Sequence, residues 1–297
     1  MLGTFRRSRT TAWTDSGARG HTPPDEAASL DGRSGPAGLL VTADDFGLCP
    51  EIDDAVCLLF DRGVVRRTSF IVNTSGFDRS LERIAARPGL QVGVHLNLTD
   101  GRPVSPPNEV RSLVTGTGEF VGGRHFRVLA SVAAGWFALE DIRREWRAQL
   151  AKARAAGLAI THLDAHGHVH LLPRVRGVVL DLLDEFAIPF VRLVLSPDSV
   201  RHRPLGAWSA GLAAALRRRG LRSDYPRRVV GLGCQGALEA GWLLRQLRSR
   251  PDGLTELIVH PSTARNPYHR RWRYAGEREL EALLAPEVAA LLGGRPD

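Results

Sequence analysis

Two adjacent carboxylates, Asp44 and Asp45, follow directly on the apolar run Leu39-Leu40-Val41. Neighbouring carboxylates repel, so the pair is costly unless a cation or hydrogen bonds compensate. Imidazoles stand in the same way at the ends of other apolar runs. His95 lies in Gly93-Val94-His95-Leu96-Asn97, His166 in Thr161-His162-Leu163-Asp164-Ala165-His166-Gly167-His168-Val169-His170, and His260 follows Leu257-Ile258-Val259. Each has a plain reading by itself: Asp45 capping the next turn, a strand-end histidine hydrogen-bonded for structure. Taken together, carboxylate and imidazole are the ligand mixture of a hydrolytic divalent-metal site. In the last and richest of these stretches an extended chain sets His166, His168 and His170 on one face.

For residues so far apart to meet, the elements that carry them must converge. From Gly38 onward, short apolar runs alternate with helical patterns, the signature of repeated βα units and a parallel sheet. Strands are expected at 39–41, 68–72, 92–96, 160–165, 190–194, 228–232 and 256–259. Helices are expected at 51–61, 79–86, around 139–150, and at 175–185, 205–218, 237–248 and 277–284. This number of repeats suits an α/β fold of the TIM-like (β/α) barrel type, in which the C-terminal strand ends form one mouth. The Gly/Pro-rich stretch 99–126 reads as a long loop over one end, and such loops in compact domains are usually functional.

At 297 residues and 43% hydrophobic, the chain suffices for one large α/β domain. Residues 1–36, rich in Arg, Ser, Thr, Gly, Asp and Pro, read as a disordered tail, and 37–297 as the barrel domain. Arg6, Arg7 and Arg9 are followed by no apolar segment, so a secretory signal is not expected. Nor is stable membrane insertion, because no run approaches about 18 apolar residues. The formal charge of +8 comes from scattered arginines, with Lys152 the only lysine, and reads as a solvated surface and not a nucleic-acid face. Cys49, Cys57 and Cys234 lack CxxC spacing, which fits reduced thiols and a cytoplasmic location.

The segments Leu40-Val41-Thr42-Ala43-Asp44-Asp45-Phe46-Gly47, Gly93-Val94-His95-Leu96, the stretch 161–170 and Val259-His260-Pro261 occur in the order found in one family. They resemble the motifs of the YdjC-like carbohydrate deacetylases, a group that includes chitooligosaccharide deacetylases and hopanoid biosynthesis-associated deacetylases. The likeness spans about 38–284. It implies a TIM-like barrel that removes acetyl from an N-acetylated amino sugar with a bound divalent cation, magnesium by resemblance. By motif position Asp45, His95 and His166 hold the metal and Asp44 is the general base. Similar members often carry three consecutive histidines where this chain has His166-Gly167-His168, so the middle imidazole is absent here.

An amide is a poor electrophile, and a divalent cation can both lower the pKa of water and polarise the acetyl carbonyl. Asp44 then accepts the water proton, and His260 is the candidate donor to the leaving amine. His162, Asp164, His168 and His170 are expected behind the ligands, one of them orienting a ligand imidazole through its other nitrogen. Imidazole ligands suit zinc or another transition metal better than magnesium, so zinc stands as the chemical rival. The stretch 100–107 resembles the hopanoid-associated members and the His166 region the chitooligosaccharide ones, leaving an N-acetylglucosaminyl conjugate, soluble or lipid-linked, as the shared substrate. Trp136, Phe137, Trp272 and Tyr274 could stack on sugar rings or pack against the barrel, and a homodimer is left open. Two rivals stand beside this reading: a phosphoesterase, which would need a second metal or a cationic phosphate clamp, and an inactive sugar-binding barrel.

Overall fold

A strand buried along its whole length must be covered on both faces, as in a parallel sheet flanked by helices. Strand β1 (Leu39–Phe46) meets that condition, with all eight residues buried. The computed structural model describes residues 38–122, 125–196, 203–221, 226, 228–234, 236–249 and 253–294, and the expected tail 1–36 lies outside them. Five more strands follow: β2 (Arg67–Phe70), β3 (Gln91–Leu96), β4 (Ile160–Ala165), β5 (Arg228–Val230) and β6 (Thr255–Val259). They form one sheet in the order β4-β3-β2-β1-β6-β5, every pair parallel.

The helices are α1 (Pro50–Asp61), α2 (Phe77–Ala85), α3 (His125–Ala134), α4 (Leu139–Ala155), α5 (Arg176–Glu185), α6 (Arg203–Arg218), α7 (Ala240–Arg248), α8 (Pro267–Trp272), α9 (Gly276–Leu284) and α10 (Pro286–Leu292). Helix α4 shows how they attach. Its apolar face of Ile142, Trp146, Leu150 and Ala153 is fully buried, as the 3.6-residue period dictates. Beside that face Gln149 accepts from the Asn97 N–H at 2.9 Å and returns a bond to its carbonyl at 2.7 Å, fixing the exit of β3. Glu145 accepts from the N–H groups of Val104 and Ser105, both at 2.9 Å, and so ties down the loop that follows. No helix among the described residues is long and apolar enough to cross a membrane.

The structure corrects several expectations. Segment 190–194 is not a full strand: Val191 makes one isolated parallel bridge to Leu163 of β4. Pro189 stands directly before it and brings no N–H, which shortens the ladder there. The segment is nonetheless held. Leu163 N–H donates to Phe190 O at 2.8 Å, Arg192 N–H to Leu163 O at 2.9 Å, and Val229 N–H of β5 to Ser196 O at 3.1 Å. The stretch 99–126 is loop only as far as its end, where α3 begins, and within it Val114 and Phe120 form an antiparallel bridge.

Candidate functional site

In a regular strand Asp44 and Asp45 would point to opposite faces. Between Ala43 and Phe46 the register of β1 against β2 slips, and Asp45 takes a left-handed backbone with φ 69°. A bulge of this kind re-aims a side chain. Both carboxylates consequently enter the same interior cluster, 2% and 1% exposed. Asp45 Oδ1 lies 2.8 Å from His166 Nδ1 and 3.5 Å from His95 Nε2.

His95, near the end of β3, is fixed from behind by β4: its Nδ1 lies 2.7 Å from Asp164 Oδ1. An ionised carboxylate can only accept, so Nδ1 carries the hydrogen and Nε2 faces Asp45. Burial disfavours the His95 imidazolium, yet the Asp164 and Asp44 carboxylates outweigh it and lift the group to about 9. Asp45 moves the other way. Burial opposes its ionisation, but His166 by charge and hydrogen bond, with His260 and His95 behind, holds it well below the usual carboxylate range.

The ligand atoms of Asp45, His95 and His166 lie within 4.8 Å of one another. Asp45 Oδ2 is buried and has no hydrogen-bond partner, an expense that a cation removes. One carboxylate with two imidazoles is a donor set that divalent transition metals accept readily. The residues therefore fit a divalent cation. Asp44, His95 and Asp164 form a second group of the same size, but a guanidinium already serves it. Arg192 donates from Nη1 to Asp44 Oδ2 at 2.7 Å and from Nη2 to Asp44 Oδ1 at 2.8 Å. Its Nη1 also lies 2.5 Å from Asp164 Oδ2, and its Nε donates to Glu256 Oε1 at 3.1 Å.

Arg192 was not among the residues singled out from the sequence. Its signal was there: an arginine in the middle of Phe190-Val191-Arg192-Leu193-Val194, where a buried cation requires acidic partners. Further hydrogen bonds back this core. Thr42 donates to Glu256 at 2.8 Å, Ser69 to Asp164 Oδ2 at 2.8 Å, and Arg67 Nε to His162 Nδ1 at 3.1 Å. Burial and the nearby Arg67 charge hold His162 well below its ordinary value, so it accepts from Arg67 as a neutral ring.

The expectation that His166, His168 and His170 share one extended face fails. Strand β4 stops at Ala165, and Gly167 (φ 65°) and His168 (φ 58°) are both left-handed. This turn sends the three rings to three places. His166 meets Asp45 and packs, tilted by 47°, with its centroid 4.7 Å from that of Trp272; His168 lines the cavity; His170 Nε2 sits 3.0 Å from the Arg192 carbonyl.

His260 emerges at the end of β6 with its N–H donating to Glu279 Oε2 at 2.5 Å. Its ring packs 5.2 Å from Tyr274, its Nδ1 has no partner, and burial pushes it below its ordinary pKa. Asp44, His95, His166, His168 and His260 line a cavity of about 300 Å³. Phe126 and Leu129 of α3, with Leu205 and Trp208 of α6, supply apolar surface to the same lining. Of the aromatics expected to stack on sugar, Tyr274 lines this cavity. Phe137 is core, and Trp136 is 74% exposed.

Polar side chains gathered at the C-terminal ends of parallel strands, under one cavity, are the arrangement of an α/β enzyme. The family model described as YdjC-like protein matches residues 38–293, and the chain belongs to that family. It is similar to the carbohydrate deacetylase of Mus musculus, 40% identical over 244 residues that cover 75% of this chain and 77% of the mouse protein. With the carbohydrate deacetylase of Oceanobacillus iheyensis it shares 27% identity over 241 residues, 81% of this chain and 92% of that one. A solved structure from Enterococcus faecalis, described as a candidate cellobiose-phosphate cleavage protein, superposes with a TM-score of 0.68 at 25% identity. That match covers 86% of this chain and 93% of the other.

Proposed function

We propose that this chain is a metal-dependent deacetylase that hydrolyses the acetamide of an N-acetylated amino sugar and releases acetate. The observation that carries the reading is the pairing of two carboxylates with different partners: Asp45 among His95 and His166, Asp44 on the Arg192 fork. The names of the relatives supply the reaction class. A divalent cation held by Asp45, His95 and His166, magnesium by resemblance or zinc by ligand chemistry, supplies acidified water and a polarised acetyl carbonyl.

The remaining work falls to the chain's own residues. Asp44, both of whose oxygens are oriented by Arg192, accepts a proton from the attacking water. His260 returns a proton to the leaving amine. Because burial disfavours its charged form, His260 does not hold that proton beforehand, and the proton it delivers is the one that Asp44 takes from the water. The apolar lining from α3 and α6 would seat an apolar substituent, so a lipid-linked amino sugar, hopanoid-linked included, stands beside a chitooligosaccharide as substrate. The phosphoesterase alternative is the weaker one, since Arg192 is spent on carboxylates and no arginine or lysine lines the cavity among the described residues. The bonds of segment 190–196 to both β4 and β5 support closure of the sheet into a TIM-like barrel.

The test is acetate release from an N-acetylglucosamine oligomer, run beside metal quantitation for two variants. Asp44→Asn keeps the metal and loses about 10²- to 10⁴-fold in turnover, whereas Asp45→Asn loses the metal. Full turnover in metal-loaded Asp44→Asn would pass the base role to a histidine. Wild-type protein that frees no acetate from any N-acetyl sugar with magnesium, zinc, manganese or cobalt would sink the deacetylase reading.

A further inference from the structure

The histidines of the interior divide by what their rings touch. His95 is bonded to Asp164, His162 to Arg67 and Ser69, His166 to Asp45, and His170 to the Arg192 carbonyl. His168 has no such anchor, and neither do the rings of His260 and His269. His168 is 7% exposed and lines the cavity, and its Nδ1 is buried without a hydrogen-bond partner. Its ring neighbour is His170, at a centroid distance of 6.4 Å.

The Nδ1 nitrogen has no open surface, so the group presented to the cavity is the other ring nitrogen, Nε2, which has no partner among the described residues and is free to bond a ligand. The backbone reinforces the point. His168 is left-handed at φ 58°, ψ 26°, a conformation that disfavours a residue with a Cβ and persists only where the surroundings impose it. A packing role would not need that cost, because a glycine or asparagine would take the turn more easily. What the turn achieves is to hold the ring in the lining of the cavity, which also takes in His166, Phe126 and Trp208.

No hydrogen bond links His168 to Asp44, Asp45 or His260, so it stands outside the path by which protons reach the reacting atoms. An imidazole offers one donor and one acceptor, and a sugar hydroxyl offers the same pair in return. We infer that His168 is a specificity-determining residue whose ring hydrogen-bonds a hydroxyl of the sugar that carries the acetamide. The inference rests on the deacetylase reading for the identity of the ligand. It sets affinity and leaves the rate of the chemical step alone.

Two variants test this against the β-1,4-linked dimer of N-acetylglucosamine. His168→Gly removes the ring and relieves the left-handed backbone; His168→Asn keeps a donor and an acceptor and tolerates the same backbone. For His168→Gly, KM rises about tenfold while kcat stays within about threefold of wild type, the size of one neutral hydrogen bond. Metal content and Tm are not reduced. His168→Asn recovers most of the lost affinity. Calorimetric binding of the dimer is measured in parallel on metal-loaded protein carrying Asp44→Asn, with and without His168→Gly, so that affinity is read without turnover. Equal dimer affinity with and without His168, a fall in kcat at unchanged KM, or loss of metal would overturn the inference while leaving acetate release by wild type intact. Absence of acetate release with dimer binding still weakened by His168→Gly would instead count against the deacetylase reading alone.

Discussion

Replacing Arg192 by methionine removes one buried guanidinium and leaves three buried carboxylates, Asp44, Asp164 and Glu256, that it had bonded. Removing one partner of a buried ion pair costs about 3–5 kcal/mol, chiefly because the charge left behind is unpaired. In a domain of this size that corresponds to a fall in Tm of about 6–15 °C. The loss should also depend on pH. Burial alone would raise the Asp164 carboxyl, but Arg192, followed by His95, holds it well below the usual range. A depressed carboxylate contributes stability above its unfolded pKa and loses it as pH falls through the folded value. Without Arg192 burial faces less opposition, so Asp164 binds its proton more readily in the folded state. The deficit of Arg192→Met is therefore fully present above the ordinary carboxylate pKa of about 4 and narrows as pH falls below it. Thermal unfolding followed by circular dichroism at several pH values reads both quantities. A deficit under about 1 kcal/mol, the size of an exposed pair, or one that widens as pH falls, would refute the account of Arg192 as the cation of this core. Arg192→Lys separates stability from alignment: a point charge cannot fork onto both Asp44 oxygens, so turnover falls further than Tm.

Asp164→Asn keeps the shape of the contact to His95 Nδ1 but removes its charge, and metal affinity should fall about 10- to 100-fold; competition against a chromophoric chelator measures this, and unchanged affinity would detach Asp164 from the site. Metal loading should release about one proton at neutral pH, because His95, raised to about 9, must give up the proton on Nε2 to become a ligand. The release should vanish as pH rises through that value, and a pH-stat titration that finds none at neutral pH would exclude His95 as a ligand.

Much of this was legible from residue order. Strands β3, β4 and β6 stand within one residue of their expected bounds, since each is an apolar run closed by a polar residue at the mouth. The strand-end placement of Asp44, Asp45, His95, His166 and His260 follows from the same pattern. What failed was alternation, and it failed at two places for one reason. Asp45 and His168 both adopt positive φ without being glycine, and no propensity announces such a residue, because the surrounding fold imposes it. The two-residue period therefore gives no account of Asp44 and Asp45 entering one cluster, and it set His168 and His170 on one face with His166. Helices α8 and α10 escaped notice because they are six and seven residues long, too short for a period to establish itself, and α3 because its start falls in the Gly/Pro-rich stretch read as loop. The surface that α3 contributes to the cavity escaped with it.

The choice of a divalent cation can be argued from charge as well as from ligand type. Counted formally, Asp44, Asp45, Asp164 and Glu256 bring four negative charges into one buried region, and Arg67 and Arg192 bring two positive ones. Asp100 does not enter this count, because Arg271 is bonded to it. Two negative charges remain, and buried charge without compensation is strongly unfavourable. One divalent cation with His95 and His166 as neutral ligands balances the region completely. Without it the protein must recruit protons, and the rise of His95 to about 9 under the Asp164 and Asp44 carboxylates is that response. The same excess of carboxylate that makes the folded core expensive is thus what would give the cluster an affinity for a doubly charged ion. The fork of Arg192, by engaging Asp44 and Asp164, would confine that affinity to Asp45 and the two imidazoles beside it.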